Sequence, residues 1–121
     1  MSRMIRMFSV ATFAIMAIAG QAFAHAHLKS SVPADKATVA APSELELSFT
    51  EGLNLRFSGV TLIGPDGKQV NLGEGMLMDD DKMLMVPVSG TLQPGSFTVD
   101  WHALSTDGHK TTGSYSFTVK P

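Results

Sequence analysis

Cysteine is absent from all 121 residues. That excludes disulfides and thiolate metal sites, so any bound metal has to use nitrogen, oxygen or thioether ligands. Trp and Tyr occur once each, which leaves no obvious aromatic platform for a polysaccharide. Basic charge is scarce where it would matter. Arg3 and Arg6 belong to the first segment, and without them seven basic residues face eleven acidic ones, a net of −4 with His neutral. No basic patch remains, which argues against nucleic acid and against anionic membrane surfaces. After residue 24 there is neither a long apolar run nor a helical period.

What is present begins with an export signal. Arg3 and Arg6 form a positive head, Phe8 to Ala19 is apolar except for Ser9 and Thr12, and Ala22-Phe23-Ala24 is an A-x-A cleavage site. The apolar run falls short of the roughly 20 residues that span a bilayer. Residues 1–24 are therefore expected to be a cleaved signal peptide. Residues 25–121 are expected to form one periplasmic domain of 97 residues with a thin margin of stability.

Within that domain apolar and polar residues alternate at period two, the signature of half-buried strands. Leu45, Leu47 and Phe49 show it, as do Phe97, Val99, Trp101 and Ala103, and Tyr115, Phe117 and Val119. Val60 to Ile63 and Met83 to Val88 are short apolar runs. Gly64-Pro65-Asp66-Gly67, Gln93-Pro94-Gly95 and Thr106-Asp107-Gly108-His109 read as turns. The pattern predicts an all-β Greek-key sandwich or barrel of seven to eight strands. Trp101 and its alternates face the core, so Asp100 and His102 point outward, and His102 is a surface residue rather than a ligand.

Two constellations carry chemistry. Cleavage after Ala24 makes His25 the N-terminal residue, and its α-amine and imidazole Nδ1 can chelate one metal ion. Reference pKa values of about 7.7–8.0 and about 6.5 let copper(II) displace both protons near neutral pH. The second is Ser105-Thr106-Asp107-Gly108-His109, whose spacing can aim a carboxylate and an imidazole at one point. A backbone-bonded turn aspartate beside an exposed histidine is the plainer alternative. His27 adds a competing mode: a free amine with histidine at the third position binds Cu(II) through the amine, two deprotonated amides and the His27 ring.

Several segments resemble the CopC family of periplasmic copper-resistance proteins. They are His25-Ala26-His27-Leu28-Lys29-Ser30 with Pro33-Ala34, then Phe49-Thr50-Glu51-Gly52-Leu53, and the run from Val99-Asp100-Trp101 through Ser105, Asp107, His109 and Gly113 to Tyr115-Ser116-Phe117. The resemblance implies a cupredoxin-like (Ig-like) sandwich with a histidine brace for one Cu(II) per chain. His25 would give amine and imidazole, His109 a second imidazole and Asp107 a carboxylate, with Glu51 as a neighbouring carboxylate that orients the amine or a water. It also implies a monomeric carrier, not an enzyme, that holds or delivers periplasmic copper in partnership with a CopD-type inner-membrane copper transporter. The alternative is a copper-dependent, monooxygenase-like enzyme that uses the same brace.

Some members of that family carry a methionine-rich loop for Cu(I). Here Met76, Met78, Met83 and Met85 surround Asp79-Asp80-Asp81 and do not fall in that loop. Met83 and Met85 alternate along an expected strand, so core packing accounts for them, and the aspartates read as a solvated hairpin tip.

Overall fold

The computed structural model describes residues 26–121; His25 and segment 1–24, with the cleavage expectation that falls on them, lie outside the described residues. Nine strands follow in chain order: β1 Leu28–Val32, β2 Thr38–Val39, β3 Glu44–Phe49, β4 Gly59–Ile63, β5 Gln69–Val70, β6 Met76–Met78, β7 Met83–Pro87, β8 Gly95–Leu104 and β9 Lys110–Val119. One sheet has the order β1-β3-β7-β6 and the other β2-β9-β8-β4-β5. All pairings are antiparallel except β2 with β9. The expected all-β sandwich is therefore present. It exceeds the expected strand count because β2 and β5 are two residues each, too short to show alternation.

Alternation becomes burial along each long strand. In β8, Phe97, Val99, Trp101 and Ala103 are buried, while Asp100 and His102 are exposed, as read from the sequence. In β9, Tyr115, Phe117 and Val119 are buried. The cross-strand pair Phe97↔Phe117 stacks with centroids 5.5 Å apart. Phe49 of one sheet meets Trp101 of the other edge-on at 5.1 Å, a favoured aromatic geometry that joins the two layers. Trp101 lies directly over Gly113 in the adjacent strand, and a Cβ there would sit 2.4 Å from Cζ2 of the indole. Glycine at 113 is therefore what lets the ring lie flat on the sheet.

One packing expectation is corrected. Met83 and Met85 do not enter the core; Leu84 and Val86 take those positions, at 1% and 4% exposure, and the two methionines are half-buried on the opposite face. The run Met83-Leu84-Met85-Val86 is apolar throughout, so its period is visible but not which alternate residues face inward. Pairing with β3 and β6 decides that.

Tyr115 is buried, yet its hydroxyl finds no hydrogen-bond partner among the described residues. Burial pushes its phenol up to about 12; the nearby Ser31 hydroxyl, which donates to the Pro33 carbonyl, pulls the other way without meeting full bonding geometry, and the Asp35 charge adds a smaller upward push. A phenol raised in the folded state contributes stability that is complete below its unfolded value of 10.0 and is lost as pH climbs toward about 12. Tyr115→Phe should remove that component of alkaline destabilisation. At neutral pH it should leave stability unchanged or slightly higher, since a buried hydroxyl without a partner is deleted. Denaturant unfolding at both pH values measures this. The chain has a single tyrosine, so a phenolate absorbance that rises at ordinary tyrosine pH would contradict the burial argument directly.

Candidate metal centre

The turn between β8 and β9 is built around Ser105. This serine is 2% exposed. Its N–H donates to the His109 carbonyl at 2.9 Å, and its carbonyl accepts the Gly108 N–H at 2.9 Å. Gly108 has φ +95°, a left-handed conformation that closes the turn and suits glycine. The Ser105 hydroxyl donates to Asp107 Oδ1 and accepts the His109 N–H at 3.2 Å. His109 Nδ1 lies 3.1 Å from the same Asp107 oxygen, with both side chains 46% exposed. The Ser105 hydrogen bond, followed by that of His109, holds the Asp107 carboxyl below the usual carboxylate range, so it is charged at neutral pH.

The expected carboxylate and imidazole are thus brought together with atoms aimed at one place. Two ligands at right angles around a metal with bonds of about 2.0–2.1 Å stand about 2.9 Å apart. The observed 3.1 Å between Nδ1 and Oδ1 needs little adjustment to meet that. Among the described residues, however, no three His, Asp or Glu side chains gather closely enough to hold a metal. Asp107 and His109 are two side chains able to ligate a metal, one oxygen and one nitrogen donor held side by side.

The start of the described chain arrives at the same turn. Ala26 is fully buried and its carbonyl accepts the Thr111 Oγ1 hydrogen at 2.8 Å. His27 is clamped on the other side: its N–H donates to Thr50 Oγ1 at 2.9 Å, and its carbonyl accepts the Thr50 N–H at 3.0 Å. Thr111 is two residues past His109, about 6–7 Å along a strand. Glu51 is half-buried in the loop after β3. The neighbouring Gly52 carbonyl accepts the Thr106 N–H at 2.9 Å, and Leu53 bridges to Ser105. Glu51 therefore shares this end of the sandwich without completing a three-residue cluster with Asp107 and His109. His102 sits elsewhere, on the exposed face of β8 over Gly59.

The Asp79-Asp80-Asp81 tip between β6 and β7 also packs here. The Asp81 carbonyl accepts the Leu53 N–H at 2.8 Å, and the Lys82 carbonyl accepts the Phe49 N–H at 2.8 Å. All three aspartates have positive φ, 52°, 57° and 64°, a region that aspartate tolerates better than most side chains. Asp79, Asp80 and Asp81 add carboxylates near this end, with Lys82 directly beside them. Ser105 as organiser of the turn, and Thr50 and Thr111 as clamps, were not readable from the sequence. A serine two residues before an aspartate was the one available signal, and it is common in turns.

Comparison with known proteins adds kinship. Residues 28–120 match the CopC domain family model. Protein YobA of Escherichia coli K12 is 46% identical over 100 residues, covering 81% of each chain. Copper resistance protein C of Escherichia coli is 39% identical over 114 residues, covering 88% of this chain and 90% of its own. The crystal structure of CopC from Methylosinus trichosporium OB3b superposes with a TM-score of 0.73 at 32% identity, covering 80% of this chain and 95% of the other.

Replacing Ser105 by alanine tests the turn. Without the hydroxyl, Asp107 should protonate at higher pH than in the wild type, measurable by NMR titration of its carboxyl. Because the folded-state value is depressed, the associated stability is complete above the usual carboxylate range and is lost on acidification. The variant should lose less on acidification. An unchanged Asp107 titration would show that the serine does not control it.

Proposed function

The chain belongs to the CopC family, and from that we propose that it is a periplasmic Cu(II)-binding protein whose site forms when cleavage after Ala24 frees the amine of His25. The ligands are the His25 amine and imidazole, the His109 imidazole and the Asp107 carboxylate. Three nitrogens and one oxygen make the tetragonal set that Cu(II) prefers. The observation that carries this reading is the Asp107–His109 pair at 3.1 Å beside a fully buried Ala26. A residue joined to Ala26 lies one peptide link, about 3.8 Å between Cα atoms, from a backbone bonded to Thr111.

Several features support the brace over the peptide-type mode through His27. That mode needs the amide nitrogens of residues 26 and 27 as ligands. Ala26 is buried, and the His27 N–H is already bonded to Thr50. Binding by that route would have to undo this docking. Glu51, at the same end, is suited to orient the amine or a bound water. Copper held in this way is available for homeostasis or resistance, and delivery to a CopD-type inner-membrane transporter follows from the family reading. The alternative of a monooxygenase-like enzyme gains nothing from Trp101 and Tyr115. Both are buried, so neither offers a flat surface to a sugar.

Cu(II) titration of the processed protein, followed by EPR, tests this. His109→Ala should weaken binding by at least about 100-fold, and His27→Ala by much less. One equivalent of Cu(II) should raise the melting temperature, because the site joins an N-terminus to a distant turn and the unfolded chain cannot assemble it. If His27→Ala were the damaging change and His109→Ala the silent one, the brace would be wrong and the peptide-type mode right.

A further inference from the structure

The sequence contains no basic run, yet the fold gathers Arg56, His102 and Lys110 around one place on the outer face of the β2-β9-β8-β4-β5 sheet. His102 of β8 and Lys110 and Thr112 of β9 are exposed there, and Thr112 stands opposite His102 in the register. A short 3-10 turn, Leu55–Phe57, brings Arg56 and Phe57 alongside. It is fastened at both ends: the Asn54 N–H donates to the Leu104 carbonyl at 2.8 Å, and the Ser58 hydroxyl accepts the Leu104 N–H at 3.0 Å. The His102 ring lies over Gly59, where a Cβ would stand 3.2 Å from Cε1. Together Arg56, Phe57, His102, Ala103, Lys110 and Thr112 line an open hollow of about 330 Å³.

The fold leaves the charges and the ring of this hollow unused. Neither Arg56 nor Lys110 forms an ion pair with any described residue, although eleven acidic residues face seven basic ones after residue 24. No acidic side chain among the described residues lines the hollow. Phe57 is 53% exposed and Leu55 beside it 40%. The Arg56 guanidinium lies 5.6 Å from the centroid of the Phe57 ring. That contact holds a planar cation at the border of an apolar surface.

We propose that this hollow docks a short acidic segment of a partner protein, one that carries an aromatic or aliphatic side chain beside its carboxylates. Arg56 offers a forked guanidinium to a carboxylate, Lys110 a second cation, and His102 and Thr112 further N–H and O–H donors. Phe57 offers the apolar contact, which an inorganic anion would leave unused. The volume lies at the low end for ligand clefts, about 300–1,000 Å³, and admits one or two side chains. A net charge of −4 on residues 25–121 repels an extended anionic surface such as a lipid bilayer. Screening over about 8 Å at physiological ionic strength lets a short segment respond to the local cations instead. Lys110 follows His109 in the chain, so the docked segment lies beside the turn between β8 and β9. The proposal uses neither Asp107 nor His109 and does not rest on the Cu(II) reading.

The test follows backbone amide NMR signals of the purified protein, without added metal, during titration with a blocked pentapeptide of aspartate, glutamate, phenylalanine, aspartate and glutamate. Signals of Arg56, Phe57, His102, Lys110 and Thr112 should move together, and added salt should weaken the binding. The same peptide with asparagine and glutamine in place of its acids should leave them still. The double variant Arg56→Gln, Lys110→Gln should lower the affinity roughly 10-fold, and Phe57→Ala about 5-fold. Melting temperature and the amide signals of the opposite sheet report that each variant has folded. The inference is overturned if the acidic peptide leaves those five signals unmoved, or if the folded double variant binds it as well as the wild type. Equal shifts with citrate would make the hollow a site for free anions. Binding to phosphatidylglycerol vesicles in preference to the peptide would make it a membrane contact. Either of these results also overturns it.

Discussion

The β8–β9 ladder is the constraint on which the rest depends. Its pairing runs without a break from Gly95↔Val119 to Leu104↔Lys110, and the turn that carries Asp107 and His109 is simply what closes it. Because every rung is fixed, the position of the turn is fixed relative to Trp101, and through Trp101 to Phe49 on the opposite sheet. Phe49 in turn leads into Thr50, which clamps His27, while Thr111 on the ladder clamps Ala26. Core packing thus sets the approach of Ala26 and His27 to the turn. Asp107 and His109 are not carried by a flexible loop; they hang from a rigid frame.

How much of this was legible in the sequence depends on whether the signal was local. Period-two alternation revealed β3, β8 and β9 and chose the correct buried face for each, because polar residues marked the other face. The β7 segment was visible as an apolar run, but its alternation assigns Met83 and Met85 to the core when Leu84 and Val86 occupy it, because apolar residues fill both sets of alternate positions. β2 and β5 contain too few residues to show any period, and the three residues of β6 do not read as a strand. Asp107 and His109 stood out through their spacing. Ser105, Thr50 and Thr111 did not, since a hydroxyl that organises a turn or clamps a distant carbonyl has no distinguishing neighbours in the chain. Such contacts span separations such as that between residues 26 and 111, and only the folded register brings them together.

The left-handed run at Asp79, Asp80 and Asp81 has a consequence for how copies of this chain meet one another. β6 is the last strand of its sheet, so one side of its backbone offers an unpaired edge to any passing strand, made more adhesive by the exposed side chains of Met76 and Met78. Three successive positive φ values bend the chain away immediately after Met78 and end the strand at three residues. Any second molecule that zipped onto this edge would find few rungs to bind. The left-handed turn thus keeps the exposed edge of the sheet short, which limits the hydrogen bonds that an added strand could make.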